Sequence, residues 1–417
     1  MSEASAKIEQ ETTPESVKPA EQTISISPEM KGISREEVLR MAEESWPSIM
    51  KRLRAERGAA VVDRWGYFKQ PLKPGRDHPI AYLATEGCQH AICGGCTMCD
   101  YGVGKKLPRE KLIEKLRAEI EEVFPILESS NEGYQDFGAF NIIALGSFFD
   151  DEEIPPEVRE LIYEKIAANK SKHDEILFTT ESRLECIDEE KLKRMREMLG
   201  DDVRIEIGFG LESTDPLVRE GSINKKLPPD WKEKIALLRK YNVEVAAHVM
   251  IKPPFLTEEE AINDAVETIK FLDEENLADM VIAMTMNRRP ATVVGKLEEE
   301  GKYELPSIWT VLEIMRRLGP ELSNKTRFLG FNLSEAEVDE VKVVKGCEGC
   351  EEEVVERLLP FTGAEGEYDD IMKAAEATHC QCRSKWQERL KKKPDSTMAE
   401  RIAAGIDFLR KEYGEDE

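Results

Sequence analysis

The sequence predicts an α/β fold, a partial βα barrel, on three observations. From about residue 78 onward, short β-branched runs alternate with amphipathic helical stretches. The runs are almost continuously apolar, as strands covered on both faces must be. Six such units recur, too few for a closed eight-stranded barrel.

The elements follow in order. Residues 1–30 hold no aromatic residue and are mostly Glu, Ser, Thr, Pro and Lys. Such a segment buries too little apolar surface to offset its ordering entropy, so a disordered tail is expected. Residues 34–56 read as a helix, with Ser34 as N-cap and Glu37 closing a capping box. Pro47 would start a new turn or kink it. Strands are expected at 80–85, 140–146, 175–180, 203–210, 243–251 and 280–286. The helix at 109–124 puts Leu112, Leu116, Ile120 and Phe124 on one stripe, with Pro108 suited to its first turn. A helix at 188–199 opens with Asp188 and stops at Gly200, and one at 257–272 opens with a capping box at Thr257 and Glu260. After about 330 come two cysteine pairs, the basic run Lys391, Lys392 and Lys393, and a final helix near 397–413. The expected organisation is a tail (1–30), a helical extension (31–77), the barrel (78–330) and a C-terminal cysteine-rich module (331–417).

Composition narrows the function classes. No run of eighteen apolar residues occurs in the 417, so no transmembrane helix is expected. The first thirty residues lack the apolar core of a signal peptide, and a cytoplasmic location is expected. A net charge of −25, from 59 Lys and Arg against 84 Asp and Glu, argues against non-specific binding to nucleic acid or anionic membranes. It leaves room for a local basic groove. Nine cysteines in such a chain point to metal ligation rather than to disulfides.

The densest chemistry follows the first barrel strand. Cys88, Cys93, Cys96 and Cys99 lie within twelve positions, interleaved with Gly94 and Gly95. Thiolates this close are soft ligands for zinc or iron–sulfur clusters, and the glycines let a loop wrap tightly. A structural zinc, a closed four-cysteine cluster and an open three-cysteine cluster are all compatible with four thiols. The position at a strand's C-terminal end, where barrel active sites sit, favours the open cluster.

The segment Gly94-Gly95-Cys96-Thr97-Met98-Cys99-Asp100-Tyr101-Gly102 resembles the radical S-adenosylmethionine (SAM) superfamily, in the branch related to the Elongator catalytic subunit. The superfamily's usual C-x3-C-x2-C spacing is replaced here by gaps of four, two and two. On this resemblance Cys88, Cys96 and Cys99 are the expected ligands of a [4Fe–4S] cluster, with Cys93 as the alternative ligand. Further matches fall at successive strand ends. Gly146-Ser147-Phe148-Phe149-Asp150 resembles the family's glycine-rich segment at the SAM amino group, with Glu153 close behind. Thr180-Glu181-Ser182-Arg183 resembles its E-S/T-R segment. Gly208 to Ser213, followed by Ile223-Asn224-Lys225, resembles its I-G-L-E-S…N-K/R-G signature. Lys252-Pro253-Pro254-Phe255 with Thr257 and Glu258 resembles its K-P-P-F-x-T-E turn. The resemblance implies a six-stranded partial barrel, with Gly146, Ser147, Phe148, Ser182, Arg183 and Glu212 as cofactor-binding residues. It also implies cleavage of SAM to a 5′-deoxyadenosyl radical, and an electron donor such as ferredoxin or flavodoxin. No catalytic residue is assigned.

Cys347, Cys350, Cys380 and Cys382 form a C-x2-C…C-x-C set that fits a closed tetrahedral zinc site; a second iron–sulfur cluster and four free thiols are the competing readings. His379 is an alternative ligand. Arg383, Lys385, Trp386, Arg389 and Lys391 to Lys393 beside it form a basic patch or a solvated helix face. The matched motifs are similar to the archaeosine-biosynthesis radical SAM family. That similarity implies tRNA modification, by C–N bond cleavage on lysine-modified 7-cyano-7-deazaguanosine, with tRNA and a partner subunit as associates. Two alternatives stand: a radical SAM enzyme acting on a small molecule or peptide, and a zinc-stabilised interaction protein without chemistry.

Overall fold

The computed structural model describes residues 24–58, 64–73, 76–99, 106–285, 291–329, 347–358 and 360–413. The greater part of the expected tail, 1–23, and the start of the expected C-terminal module, 331–346, lie outside the described residues.

Helix α1 (Arg35–Arg57) opens with the expected capping box, in which the Ser34 side chain accepts from the Glu37 amide and the Glu37 carboxylate accepts from Ser34. Pro47 sits inside α1 without ending it. A hairpin that was not expected follows, β1 (Gly66–Lys73) antiparallel to β2 (Arg76–Tyr82). The cysteine loop then carries a single turn, α2 (Gln89–Ile92), before α3 (Arg109–Asn131). From there strand and helix alternate: β3 (Gly138–Ile143), α4 (Pro156–Ala168), β4 (Ile176–Glu181), α5 (Glu189–Leu199), β5 (Val203–Glu212), α6 (Trp231–Lys240), β6 (Val243–Ile251), α7 (Glu258–Glu274), β7 (Met280–Thr285), α8 (Val293–Glu299), α9 (Ile308–Asn324) and β8 (Thr326–Leu329). The eight strands run in sequence order across one curled sheet, and β2 to β8 are all parallel. This is the expected partial βα barrel, extended by the hairpin at one edge and β8 at the other. β2 takes in the start of the strand expected at 80–85, so the additions are β1 and β8, polar or short segments without a clear apolar alternation.

Register assigns the two faces of the sheet. Phe140, Phe178, Ile205 and Val243 stand side by side and join the large core beneath the helices. Fully burying each such side chain contributes roughly 1.5–3 kcal/mol. One residue on, Asn141, Thr179, Glu206 and Glu244 form the next row. Because successive side chains alternate, that row faces the lumen.

The C-terminal part divides between two neighbours. Helices α10 (Glu367–Ala377) and α11 (Gln381–Lys391) pack on α7 and α9, where Trp386 is buried. The last helix, α12 (Met398–Tyr413), instead lies against α1. Val38, Ala42, Trp46, Ile49 and Leu53 meet Ile402, Ala403, Ile406 and Leu409 in a second core. Gly405 makes that fit, because a Cβ there would stand 2.2 Å from the Phe255 ring.

Candidate functional site

The cysteine loop lies at the C-terminal mouth of the sheet, held from two sides. From below, Thr97 donates its amide to the Ile223 carbonyl (2.9 Å) and its hydroxyl to the Ser222 carbonyl (2.9 Å), while Asn224 donates to the Gly95 carbonyl (2.7 Å). The Asn224 carbonyl contacts His90 Nε2 at 3.0 Å. From the side, the buried Arg54 of α1 donates to the carbonyls of Ala91 (2.7 Å) and Cys99 (2.7 Å). The two glycines explain how the helix comes so near. Gly94 has φ +122° and would put a Cβ 2.6 Å from Pro47 Cα; Gly95 has φ +73° and would strike the Arg54 guanidinium at 2.6 Å. Both positions therefore exclude other side chains, by conformation and by space.

The four thiols of the loop are not equivalent. Cys93 is exposed, at the end of the α2 turn. Cys96 is half-buried, and desolvation pushes its thiol up to about 12, with Cys99 and Cys88 both near enough to add to the effect. Burial raises the Cys88 thiol too, helped by Glu153 and opposed by Arg183. Cys88, Cys96 and Cys99 are each half-buried, and Cys96 feels the charge of the other two, whereas Cys93 is exposed.

The turn after β3 is pressed against Cys88. A Cβ on Gly146 would lie 2.6 Å from both Cα and Cβ of Cys88. Glu153 accepts from the Ser147 amide at 3.0 Å, and its other oxygen is buried without a partner; burial lifts its carboxyl to about 8. Ser147 and Ser182 are both buried and share a hydrogen bond of 2.7 Å, and the Arg183 amide donates to Ser147 Oγ at 3.1 Å. Phe148 points its ring into the outer core against Phe149 and Phe178, and its amide donates to the Glu181 carbonyl at 2.9 Å. Arg183 pairs with Asp150 at 2.9 Å. Burial alone would lower its pKa, but Cys88, Cys186, Glu185 and Glu153 outweigh it and hold the guanidinium charged.

On β5 the mouth carries an ion pair. Glu212, at a positive φ of 67°, holds Lys225 at 3.1 Å. Gly210 makes room for it, since a Cβ there would fall 1.8 Å from Lys225 Nζ. Burial works against the ammonium, yet Glu212 and the thiols of Cys96 and Cys88 keep its pKa high. This cation compensates charge beside the cysteines.

A second thiol group forms on the other side of α9. The sulfurs of Cys347, Cys350, Cys380 and Cys382 all lie within 4.8 Å of one another, with Cys350 and Cys382 at 3.5 Å and Cys380 and Cys382 at 3.2 Å. Trp309 Nε1 donates to Cys382 Sγ at 3.2 Å. His379 is exposed and lies outside the group. Three residues of the basic patch beside it are spent on the fold, while Lys385 and Lys391 to Lys393 are exposed. Arg383 lies over the Trp309 ring and donates to the carbonyls of Ala375 and Thr378, Arg389 pairs with Glu304, and Trp386 donates to Glu258. Cys186 stands apart from both thiol groups, beside Asp150 and Arg183.

Sequence reasoning passed over Arg54, Trp309 and His248. Arg54 had a signal, a cation adjoining the apolar stripe of an amphipathic helix. The other two become notable only through partners remote in the chain.

A loop of clustered cysteines at the mouth of a partial parallel βα barrel is the arrangement that the resemblance to the radical SAM superfamily implies. Among individual proteins the chain is similar to archaeosine synthase subunit beta of Methanosarcina acetivorans, with 27% identity over 310 residues, 73% of this chain and 83% of that one. The protein of the same name in Thermococcus kodakarensis is 28% identical over 56% of this chain and 69% of its own length. An uncharacterized protein of Methanocaldococcus jannaschii is 34% identical over 245 residues, 57% of this chain but only 63% of that protein's length. No known family profile matches the chain. Among the described residues no helix is long and apolar enough to cross a membrane.

Proposed function

We propose that this chain is a radical SAM enzyme of tRNA modification, acting as one subunit of an archaeosine-forming enzyme on lysine-modified 7-cyano-7-deazaguanosine. The observation that carries the reading is the separation of the loop thiols. Cys88, Cys96 and Cys99 are half-buried, with Cys96 in the field of the other two, while Cys93 is exposed. Three ligands would leave one iron of a [4Fe–4S] cluster open, as chemistry on a bound ligand requires. The similarity along most of the chain to archaeosine synthase subunit beta supports the substrate.

In this reading Cys88, Cys96 and Cys99 hold the cluster, and Gly146, Ser147, Phe148, Ser182, Arg183 and Glu212 border SAM. Bound together, the two supply one-electron cleavage of the sulfonium to a 5′-deoxyadenosyl radical. The protein's own part is placement and exclusion of water. Thiols with raised pKa values release their protons only to a metal, so binding the cluster and ordering the loop are coupled. Arg54 and Asn224 fix the loop's carbonyls, and Lys225 offsets thiolate charge. The closely spaced C-terminal quartet supports a structural zinc. Tetrahedral thiolates at about 2.3 Å from zinc stand roughly 3.8 Å apart, whereas a cubane spreads its ligands over separate irons. With a net charge of −25, most tRNA contacts fall to a partner subunit, and a ferredoxin or flavodoxin supplies the electron.

The test is anaerobic reconstitution with iron and sulfide, followed by assay of 5′-deoxyadenosine formation. Extracted tRNA carrying the modified base, but not its free nucleoside, is expected to raise formation above the uncoupled background. The acidic surface favours the small-substrate alternative, which stands instead if the free nucleoside or a small amine stimulates equally. A colourless protein carrying two zincs would refute both.

A further inference from the structure

We infer that Glu181 and His248, facing each other across Gly208 in the barrel lumen, bind a primary ammonium group of the substrate. The inference rests on the reading of the lumen as the substrate chamber. Glu181 ends β4 and pairs in register with Gly208 of β5, whose neighbour Gly210 pairs with His248 of β6. A Cβ on Gly208 would lie 3.1 Å from Glu181 Cγ and 3.2 Å from His248 Nε2, so the three residues share the lumen face. Because residue 208 has no side chain, the carboxylate and the imidazole look at each other over bare backbone. Their separation, Nε2 to Oε1, is 3.7 Å, too long for a direct hydrogen bond.

The two groups are left unfinished in different ways. His248 Nε2 is buried and has no hydrogen-bond partner. Glu181 keeps a side chain 44% exposed although it faces the lumen, and among the described residues it forms no ion pair with a lysine or arginine. Its neighbours are settled: Glu212 is paired with Lys225, Glu244 with Arg204, and Glu206 lies in the field of Arg327. With its proton on Nδ1, the imidazole presents a second acceptor beside the carboxylate. A group that satisfies both must donate twice, and the carboxylate's charge favours a cationic donor. A primary ammonium placed about 2.8–3 Å from each does so. The height is also suitable, because Gly208 lies two residues, about 6.6 Å of strand, below the Gly210 layer that holds Lys225 under the cysteine loop. A substrate tethered there by its ammonium would present neighbouring carbons toward the mouth.

The first test needs neither iron nor SAM. n-Butylammonium chloride is titrated into the full-length protein as purified, with the His248 imidazole followed by 15N-edited NMR and assigned among the five histidines by His248→Gln. A saturable shift is expected in wild type, with affinity roughly 10- to 100-fold weaker in Glu181→Gln and no response to 1-butanol. No saturable shift, an equal response to 1-butanol, or equal affinity in Glu181→Gln overturns the inference. On the reconstituted holoenzyme, Glu181→Gln should raise KM for the modified tRNA by more than it lowers kcat, with partial recovery in Glu181→Asp. An unchanged KM overturns it as well. If wild type fails to cleave SAM, the proposed function falls while the ammonium titration still decides this site.

Discussion

The molecule carries two groups of four cysteines, and the fold treats them differently. The C-terminal quartet draws all four sulfurs within 4.8 Å of one another and folds its flanking helices into the barrel's outer core. The loop at the mouth leaves Cys88, Cys96 and Cys99 half-buried and Cys93 exposed, and no two of its thiols are equivalent in surroundings. A closed set of ligands is suited to stability, and an incomplete one to chemistry. Equal numbers of cysteines therefore do not mean equal sites; what differs is how many of them the surrounding helices allow to converge.

The comparison breaks most sharply at the mouth. Cys88→Ala, Cys96→Ala and Cys99→Ala should each abolish 5′-deoxyadenosine formation after reconstitution, while Cys93→Ala keeps it. A dead Cys93→Ala beside an active Cys88→Ala would overturn the ligand set. At the other group the loss should fall on stability. Cys382→Ala should lower metal content by one ion per chain and Tm by roughly 5–10 °C, for a loss of ~4 kcal/mol. If metal content stays at wild-type level, the quartet is not a zinc site.

Smaller changes sharpen the picture. Gly146→Ala pushes a methyl group into Cys88, an overpacking of about 1–3 kcal/mol that should reduce iron uptake without unfolding the barrel. Normal iron content with an unchanged Tm would show that the turn yields. Arg54→Ala removes two donors to loop carbonyls, at about 1–3 kcal/mol, and should show as faster bleaching of the cluster near 400 nm in air. Bleaching at the wild-type rate would mean that the loop does not depend on α1.

The last effect is a pH dependence on α7. Asp264 accepts from Ser213 at 2.5 Å, and burial raises its carboxyl from 3.8 to about 7. The folded state holds this proton more tightly than the unfolded chain, so the associated stability is complete below pH 3.8 and is lost as pH rises through about 7. Asp264→Asn should flatten that part of the profile, gaining Tm over wild type at pH 8 more than at pH 5. Parallel Tm profiles would show that the carboxyl does not titrate there.

Much of the fold is legible in the chain. The capping boxes at Ser34 and Thr257, the stop at Gly200 and the apolar strands each depend on residues a few positions apart, and each forms where local pattern predicts it. Strand β1 escapes notice because it is polar and interrupted by Pro71, and β8 because it is only four residues long and pairs with a segment remote in the chain. Within the site, spacing alone names eight cysteines in two groups. It says nothing of Arg54 reaching the Cys99 carbonyl across 45 positions, or of Trp309 donating to Cys382.

By itself, then, the sequence determined the alternation of strand and helix, the boundaries set by caps, and the presence of two thiol-rich segments, because these are interactions of near neighbours. Only the tertiary structure decided which thiols converge, that the first and last helices close together beside the mouth, and that Gly208 opens a gap between Glu181 and His248. Those outcomes come from the curl of the sheet and from helix packing, which bring together residues that no local period relates.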